Sequence, residues 1–508
     1  MRKTFKYLMS AAVLVAGFAG CSREVITDVN IPGGNVKEGV PTYATFNFVV
    51  SGSNTKAAKM SNDKAEKDSI TDIRLIIFKT GASIVCEVNK VYNESDLSAP
   101  NAWDKNKSKT VQLTSGKKRI FVITNAEKRT NIKDLLVKIQ EGTTTLSQFY
   151  DIVYQLGSFN QTGLADINGM KELIHATDGY IMSNPAGSNS SFDLEGGVSL
   201  EDSRNNKKNS FEISIQRTIG KVAVYYDGAD VLKTLDKVGT VIKPEYTIRN
   251  VNSAAYLFQK FASDAVDPTQ NTNIPRSPFY SLAAGAPYDS IYYNDFDFIP
   301  MTSDKGAEKI YVTENTSENP RNATTTYAAV RAGFIPYKNM IIESYVYNEL
   351  TNAFSQITNP SSELASPQTL YRLVDIGTST GIASNIYFTD KEKAYKAAYL
   401  IKNKSANGFD INKTAELDWD GTKGYIVEYP SGISYYRLNL GEDVSGSFLL
   451  GIRRNYAYLA KITSFAGAGM PKLEDLDKDP EKPIGQKTHV TATIKITPWT
   501  DVSSDYQL

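Results

Sequence analysis

The strictest constraint in this chain is a period of two. In the 489–497 run His-Val-Thr-Ala-Thr-Ile-Lys-Ile-Thr, the apolar Val490, Ala492, Ile494 and Ile496 alternate without exception with Thr491, Thr493, Lys495 and Thr497. A helix would scatter those four groups around its axis, whereas an extended strand puts them all on one face. The same period sets Phe46, Phe48 and Val50 on one face of 43–50, with Thr45 and Asn47 on the other. Further strand-like segments lie at 73–78, 83–88, 111–113 and 119–124, over the long run 211–226, and at 246–251, 327–334, 424–429 and 455–462. The abundance of aromatic residues, 30 Tyr and 21 Phe, favours strands over helices. Many short strands punctuated by Gly, Asn and Asp turns predict a mainly β chain built from β-sandwiches. Residues 132–156 are the best helical candidate, with Leu135, Leu136, Ile139, Leu146, Phe149, Ile152 and Val153 at helical spacing and Gly142 breaking the segment in two.

Between these elements lie stretches that cannot bury anything. Residues 22–42, with a Gly-Gly pair, Pro32 and Pro41, read as a spacer. Residues 51–67 are polar and lysine-rich, an exposed and protease-accessible loop. Residues 466–487 are rich in Gly, Pro, Asp and Lys and read as a linker, so the chain ends on an amphipathic strand carried by a leash. Pro498 and Trp499 follow that strand, and then a weaker alternation of Val502, Ser504, Tyr506 and Leu508.

The first twenty residues have the three parts of an export signal. Arg2, Lys3 and Lys6 precede an apolar stretch from 8 to 18, and the small pair Ala19-Gly20 stands directly before Cys21. The 18–21 sequence Phe-Ala-Gly-Cys is similar to a lipobox, which predicts diacylglycerol on Cys21; an ordinary signal peptide followed by a chance cysteine is the alternative. Ser22, where Asp would favour inner-membrane retention, points to the outer membrane. No other segment approaches the ~18–20 apolar residues that a spanning helix needs. With Cys21 taken by lipid, Cys86 has no partner for a disulfide and reads as a buried, inert thiol. The chain must therefore hold together by core and sheet alone, and its length allows two or three domains. A boundary is expected near Asp227-Gly228.

Lys plus Arg and Asp plus Glu both number 56, so no net field is available to gather nucleic acid. Only His175 and His489 are present, which leaves little material for a Ser-His-Asp or Cys-His arrangement. No phosphate-binding GxxxxGK[ST] loop occurs, and Gly467-Ala-Gly469 lacks the later glycine of a nucleotide site. Asp475, Asp477 and Asp479 imitate the start of a calcium loop, but Pro480 stands at the sixth position and Gln486 at the twelfth. The 418–421 sequence Asp-Trp-Asp-Gly reads as a turn. No cofactor, metal or catalytic residue is expected, although a pair of carboxylates for glycoside hydrolysis has no sequence signature to test.

Taken in order, these features resemble the fimbrillins that build type V pili of Bacteroides-like bacteria, and most of all the shaft subunit of the minor fimbrium. The residues that carry the resemblance are Ile-Gln-Arg-Thr-Ile-Gly-Lys-Val-Ala-Val at 215–224, Thr-Tyr-Ala-Ala-Val-Arg-Ala-Gly-Phe-Ile-Pro at 326–336, Arg-Asn-Tyr-Ala-Tyr at 454–458 and Ile-Thr-Pro-Trp-Thr at 496–500. The resemblance implies two transthyretin-like β-sandwich domains with short helical insertions and a C-terminal donor strand. Its expected divisions are a signal at 1–20, a lipidated spacer and removable first strand at 21–56, sandwiches at 57–228 and 229–465, and linker and donor strand at 466–508.

It also implies polymerisation by strand exchange. A trypsin-like surface protease would cut between Lys56 and Ala57, although relatives usually carry Arg there, and Lys59 or Lys64 could serve instead. The strand bearing Phe46, Phe48 and Val50 would then leave, and Val490, Ala492, Ile494, Ile496 and Trp499 of another copy would fill its place. The implied partners are further copies of the chain, anchor and tip subunits, and host or bacterial surface ligands. The implied role is a non-enzymatic fimbrial shaft in adhesion and biofilm. A pilus anchor, a glycan-binding surface lipoprotein and a hydrolase are the competing readings.

Overall fold

In a computed structural model the described residues run from 37 to 498. Breaks fall at 51–69, 81–83, 99–106, 157–171, 176–178, 186–189, 227, 229–231, 235, 268–271, 295, 304–308, 359–363, 375–384, 419–424, 445–446 and 485–489. Within these limits the chain is mainly β, as its alternation predicts. The first half supplies β1 (Pro41–Val50), β2 (Asp72–Lys79), β3 (Cys86–Asn93), β4 (Lys107–Thr114), β5 (Gly116–Thr124), β6 (Met182–Ser183), β7 (Ser191–Leu194) and β8 (Ser210–Arg217). They form one eight-stranded sheet in the order β3-β2-β5-β6-β8-β1-β4, with β7 also paired to β5.

The second half supplies β9 (Ile219–Tyr226), β10 (Gly239–Arg249), β11 (Ile299–Pro300), β12 (Ile310–Thr313), β13 (Tyr327–Pro336), β14 (Ile433–Asn439), β15 (Tyr456–Phe465) and β16 (Val490–Pro498). These build two four-stranded sheets, β12-β9-β15-β16 and β11-β10-β13-β14. Val222, Val224, Ile462 and Phe465 from one and Val241, Ile248, Val330 and Phe334 from the other belong to a single buried cluster. That cluster also takes in Phe46, Ile76 and Phe121 of the first sheet.

The run expected as one strand over 211–226 is in fact two strands of different sheets. It breaks at Thr218, whose N–H and hydroxyl both reach the carbonyl of Ile181, at 3.1 and 3.2 Å. Before the break β8 runs parallel to β1, and after it β9 runs parallel to β15. Gly220 makes the second pairing possible. A Cβ there would lie 2.9 Å from the Arg453 carbonyl oxygen and 2.9 Å from Ile452 Cγ2.

Two local expectations need correction. The helical candidate at 132–156 resolves into helices Thr130–Leu136 and Leu146–Tyr150 separated by the turn at Gly142, but 153–155 is a strand paired with Ala254–Tyr256. Val153 fits a helical stripe, yet the partner strand claims its backbone, whereas the Ile152 N–H still reaches the Phe149 carbonyl. Conversely, a 13-residue helix, Lys391–Asn403, lies where none was expected. Asp390 caps it by accepting the Lys393 N–H at 2.9 Å, and Ala394, Ala397, Ala398 and Ile401 are its buried face. With Leu373, Phe388, Leu417 and Ile426 it forms a second core, in a segment between β13 and β14.

Gly220→Ala should push β9 off the 452–456 turn at a cost of about 1–3 kcal/mol, the usual range for overpacking. An unchanged urea midpoint would show that the turn gives way freely.

Candidate functional site

β1 is paired along both of its edges. On one edge it runs parallel to β8, from Thr45↔Ser210 to Val50↔Ile215. On the other it runs antiparallel to β4, from Pro41↔Thr114 to Phe48↔Lys107. Ala44, Phe46, Phe48 and Val50 are all buried, and Phe46 stacks on Phe211 with ring centroids 6.1 Å apart. Each of the large apolar groups gains roughly 1.5–3 kcal/mol by that burial.

The opposite face of β1 is also covered, but by polar groups. The Thr45 hydroxyl lies 2.8 Å from that of Thr110 and 2.9 Å from that of Ser203. The helix Leu200–Arg204, which carries Ser203, is capped by the Ser199 hydroxyl accepting the Asp202 N–H. Nearer the start of β1, the Thr42 hydroxyl donates to the Glu195 carbonyl at 2.6 Å and accepts from the Asn209 amide at 3.0 Å.

β16, the strand of perfect alternation, has only one paired neighbour among the described residues. It runs antiparallel to β15 in the same chain, with Val490 opposite Phe465, Ala492 opposite Ile462, Ile494 opposite Ala460 and Ile496 opposite Tyr458. Val490 is buried, while Ala492 and Ile494 are half-buried against the main core. The structure therefore places Phe46, Phe48 and Val50 in the interior of one sheet and the 490–496 residues at the edge of another. Cys21, Lys56, Ala57, Lys59, Lys64, His489 and Trp499 lie outside the described residues.

The stretch before β16 is not the free leash that its composition suggests. Met470 and Tyr435 exchange two backbone hydrogen bonds of 2.8 Å, and Ala323 and Asn322 donate their N–H groups to the carbonyls of Pro480 and Lys482. Asp477 accepts the Tyr327 hydroxyl at 2.6 Å and the Arg437 guanidinium at 2.8 Å, and Arg437 lies 3.7 Å above the Tyr327 ring. Burial holds the Tyr327 phenol above its usual range, so it stays a donor to that carboxylate. Glu481 accepts from Arg321 at 3.0 Å, from Tyr288 at 2.5 Å and from the Gly285 N–H at 2.6 Å. Leu476 buries itself with Tyr327 and Ala329. Apolar and acidic residues spaced along a Pro-rich segment can be met one by one by a preformed surface, and composition alone does not reveal that surface.

The motif at 215–224 and that at 454–458 meet in a buried joint that sequence reading did not foresee. Arg454 and Glu314 pair at 3.2 Å with side chains only 1% and 2% exposed. Gln259 donates to Glu314 at 2.6 Å and accepts from Gln216 at 2.7 Å, while Arg454 also donates to the Tyr256 carbonyl. Arg217 donates to the Asn455 side chain at 3.1 Å, and the Asn455 N–H returns to the Ile219 carbonyl. Gln216 and Arg217 end the first sheet, whereas Asn455 precedes β15 of the second.

Cys86 is buried, and burial pushes its thiol up to about 12, so it is unreactive. Among the described residues no three His, Cys, Asp or Glu side chains gather to hold a metal.

Arg454→Met should cost about 3–5 kcal/mol, because Glu314 would be left buried without its cation. Denaturant unfolding of the variant measures this. Asp477→Asn should leave the fold intact but speed tryptic cleavage after Lys472 and Lys478; equal cleavage of parent and variant would mean the strap is held without that carboxylate.

Residues 43–216 match the family model described as Major fimbrial subunit protein (FimA), and residues 427–505 match that of Major fimbrial subunit protein type IV, Fimbrillin, C-terminal. No curated protein matches the chain. Similar solved structures include a candidate cell adhesion protein of Parabacteroides distasonis, 11% identical over 91% of this chain and 100% of that one, with a TM-score of 0.40. A second from the same species is 16% identical over 91% and 98%, at 0.38. The tip fimbrial protein Mfa3 of Porphyromonas gingivalis, with C-terminal truncation, is 9% identical over 89% and 99%, at 0.33. One fimbrial family model thus matches near each end of the chain, and both describe structural subunits of fimbriae rather than enzymes.

Proposed function

We propose that this chain is a fimbrillin, the shaft subunit of a type V fimbria, exported as a lipoprotein on Cys21 and polymerised by exchanging β1 for the tail of another copy. In this reading a trypsin-like surface protease cuts after Lys56, β1 departs with its lipid, and the mature chain begins at Ala57. The tail of a neighbour, with Val490, Ala492, Ile494, Ile496 and Trp499, then occupies the vacated slot. Anchor and tip subunits complete a fibre that serves adhesion to host or bacterial surfaces and biofilm formation. The two sandwiches divide near 228, with 466–508 as the connecting segment and donor strand.

The observation that carries the proposal is the unequal pairing of the two strands. β1 is bonded along both edges, between β8 and β4, so its loss would leave two rows of unpaired N–H and C=O groups beside an apolar trench. Among the described residues β16 pairs with β15 alone. Leaving β15 for such a slot trades one ladder for two, at roughly 0.5–1.5 kcal/mol net for each additional hydrogen bond. The same trade could not be made by β1 itself, which already has both.

Full-length protein ended at Gln486 should fold and be processed yet yield no fibre. Normal filaments from that truncated chain would sink strand exchange. Sequencing the N-terminus of surface fibres should give Ala57; a blocked Cys21 would instead mark an anchor subunit that keeps its lipid and β1.

A further inference from the structure

The departing strand and the donor strand share a pattern beyond simple alternation. β1 reads Ala44-Thr45-Phe46-Asn47-Phe48, and β16 reads Ala492-Thr493-Ile494-Lys495-Ile496. Both are Ala-Thr followed by two large apolar residues separated by one polar residue. Resting on the strand-exchange reading above, we infer that the donor enters the slot in the direction of β1, in the register that puts Ala492 at the place of Ala44. Thr493 then replaces Thr45 between Thr110 and Ser203 and is the residue that fixes the register.

The slot itself selects this register. When β1 leaves, the Thr110 and Ser203 hydroxyls lose the Thr45 hydroxyl that bridges them at 2.8 and 2.9 Å. Ser203 is fully buried, so a donor lacking a hydroxyl there leaves it only a long 3.5 Å bond to the Asn209 carbonyl. Ala44 is also fully buried, and a larger side chain at its place would overpack the core. With Ala492 at that place, Ile494 and Ile496 fall where Phe46 and Phe48 pack, and Lys495 falls at half-buried Asn47.

Every neighbouring register fails one of these conditions. Moving the donor two residues one way puts Val490 at the Ala44 place and leaves Ala492 to fill the space of Phe46. Moving it two residues the other way puts Ile494 at the Ala44 place and Lys495 against the buried hydroxyls. Reversing the strand with Ala492 kept at Ala44 brings Thr488 to the place of Phe48. Only one arrangement satisfies the small site, the hydroxyl site and the two large sites together.

The test uses the full chain, expressed and processed into fibres, with cysteines introduced in pairs. Thr45 is directly opposite Thr110 across the ladder, so T110C/T493C fibres, once oxidised, should run as covalent ladders on boiled, non-reducing gels. T110C/T491C fibres should run as monomers. Ladders from the 491 pair, or from neither pair while fibres still form, would overturn the register and leave strand exchange standing. Fibres from chains ended at Gln486 would instead overturn strand exchange itself. Separately, Thr493→Val should speed fibre dissociation about tenfold, the effect of roughly 1.4 kcal/mol for one lost buried bond, with Thr493→Ser restoring it. Equal dissociation of the Val and parent fibres would remove the hydroxyl from the account.

Discussion

The molecule is organised by one continuous run, Ser210–Arg217 continued as Ile219–Tyr226, whose backbone is handed from the strands of one sheet to those of another. Residues 210–215 pair with β1 and 216–217 with β6; 219–222 then pair with β12 and 221–226 with β15. Since buried N–H and C=O groups without partners are costly, the run cannot change sheets at an arbitrary place. It does so at Thr218, where a side chain and a main-chain N–H together reach Ile181. The strand that the processing hypothesis removes and the strand that holds the tail thus rest on the same length of chain.

Next to that crossing sits the buried pair Arg454–Glu314 with its two glutamines. Ion pairs this deep repay little of their desolvation cost, and an apolar replacement of similar shape is often as stable. What such a pair can supply is a defined geometry, because Arg454 also meets the backbone of Tyr256 and Leu257. A fixed joint suits a subunit that transmits load along a fibre. The strap from Met470 to Ile484 works in the same sense, since its backbone bonds to Tyr435, Asn322 and Ala323 fix the course of the chain ahead of β16.

Legibility from sequence followed the range of each interaction. The period-two runs of β1 and β16 are local and were readable, as was the burial of Phe46, Phe48 and Val50. The Lys391–Asn403 helix was also local: an aspartate cap and Ala394, Ala397, Ala398 and Ile401 at helical spacing gave the signal. The surrounding sequence is so uniformly strand-like that this signal does not stand out from it. Val153 shows the reverse error, in which a side-chain pattern suggested helix while pairing with Tyr256 decided for strand. The 470–484 strap misled for another reason. Its acidic residues read as solvated until Arg437, Tyr327 and Arg321 are known to face them.

By itself the sequence determined that this chain is built from strands, which side chains of the first and last of them share a face, and that only two histidines are present. These follow from alternation and composition, which are properties of neighbouring residues. Only the tertiary structure decided that β1 lies between two strands and β16 at an edge, that the 211–226 run serves two sheets, and that residues 238 apart share two hydrogen bonds at Asn455. Those outcomes depend on which backbone edges come together, and strand edges carry the same N–H and C=O groups whatever their side chains.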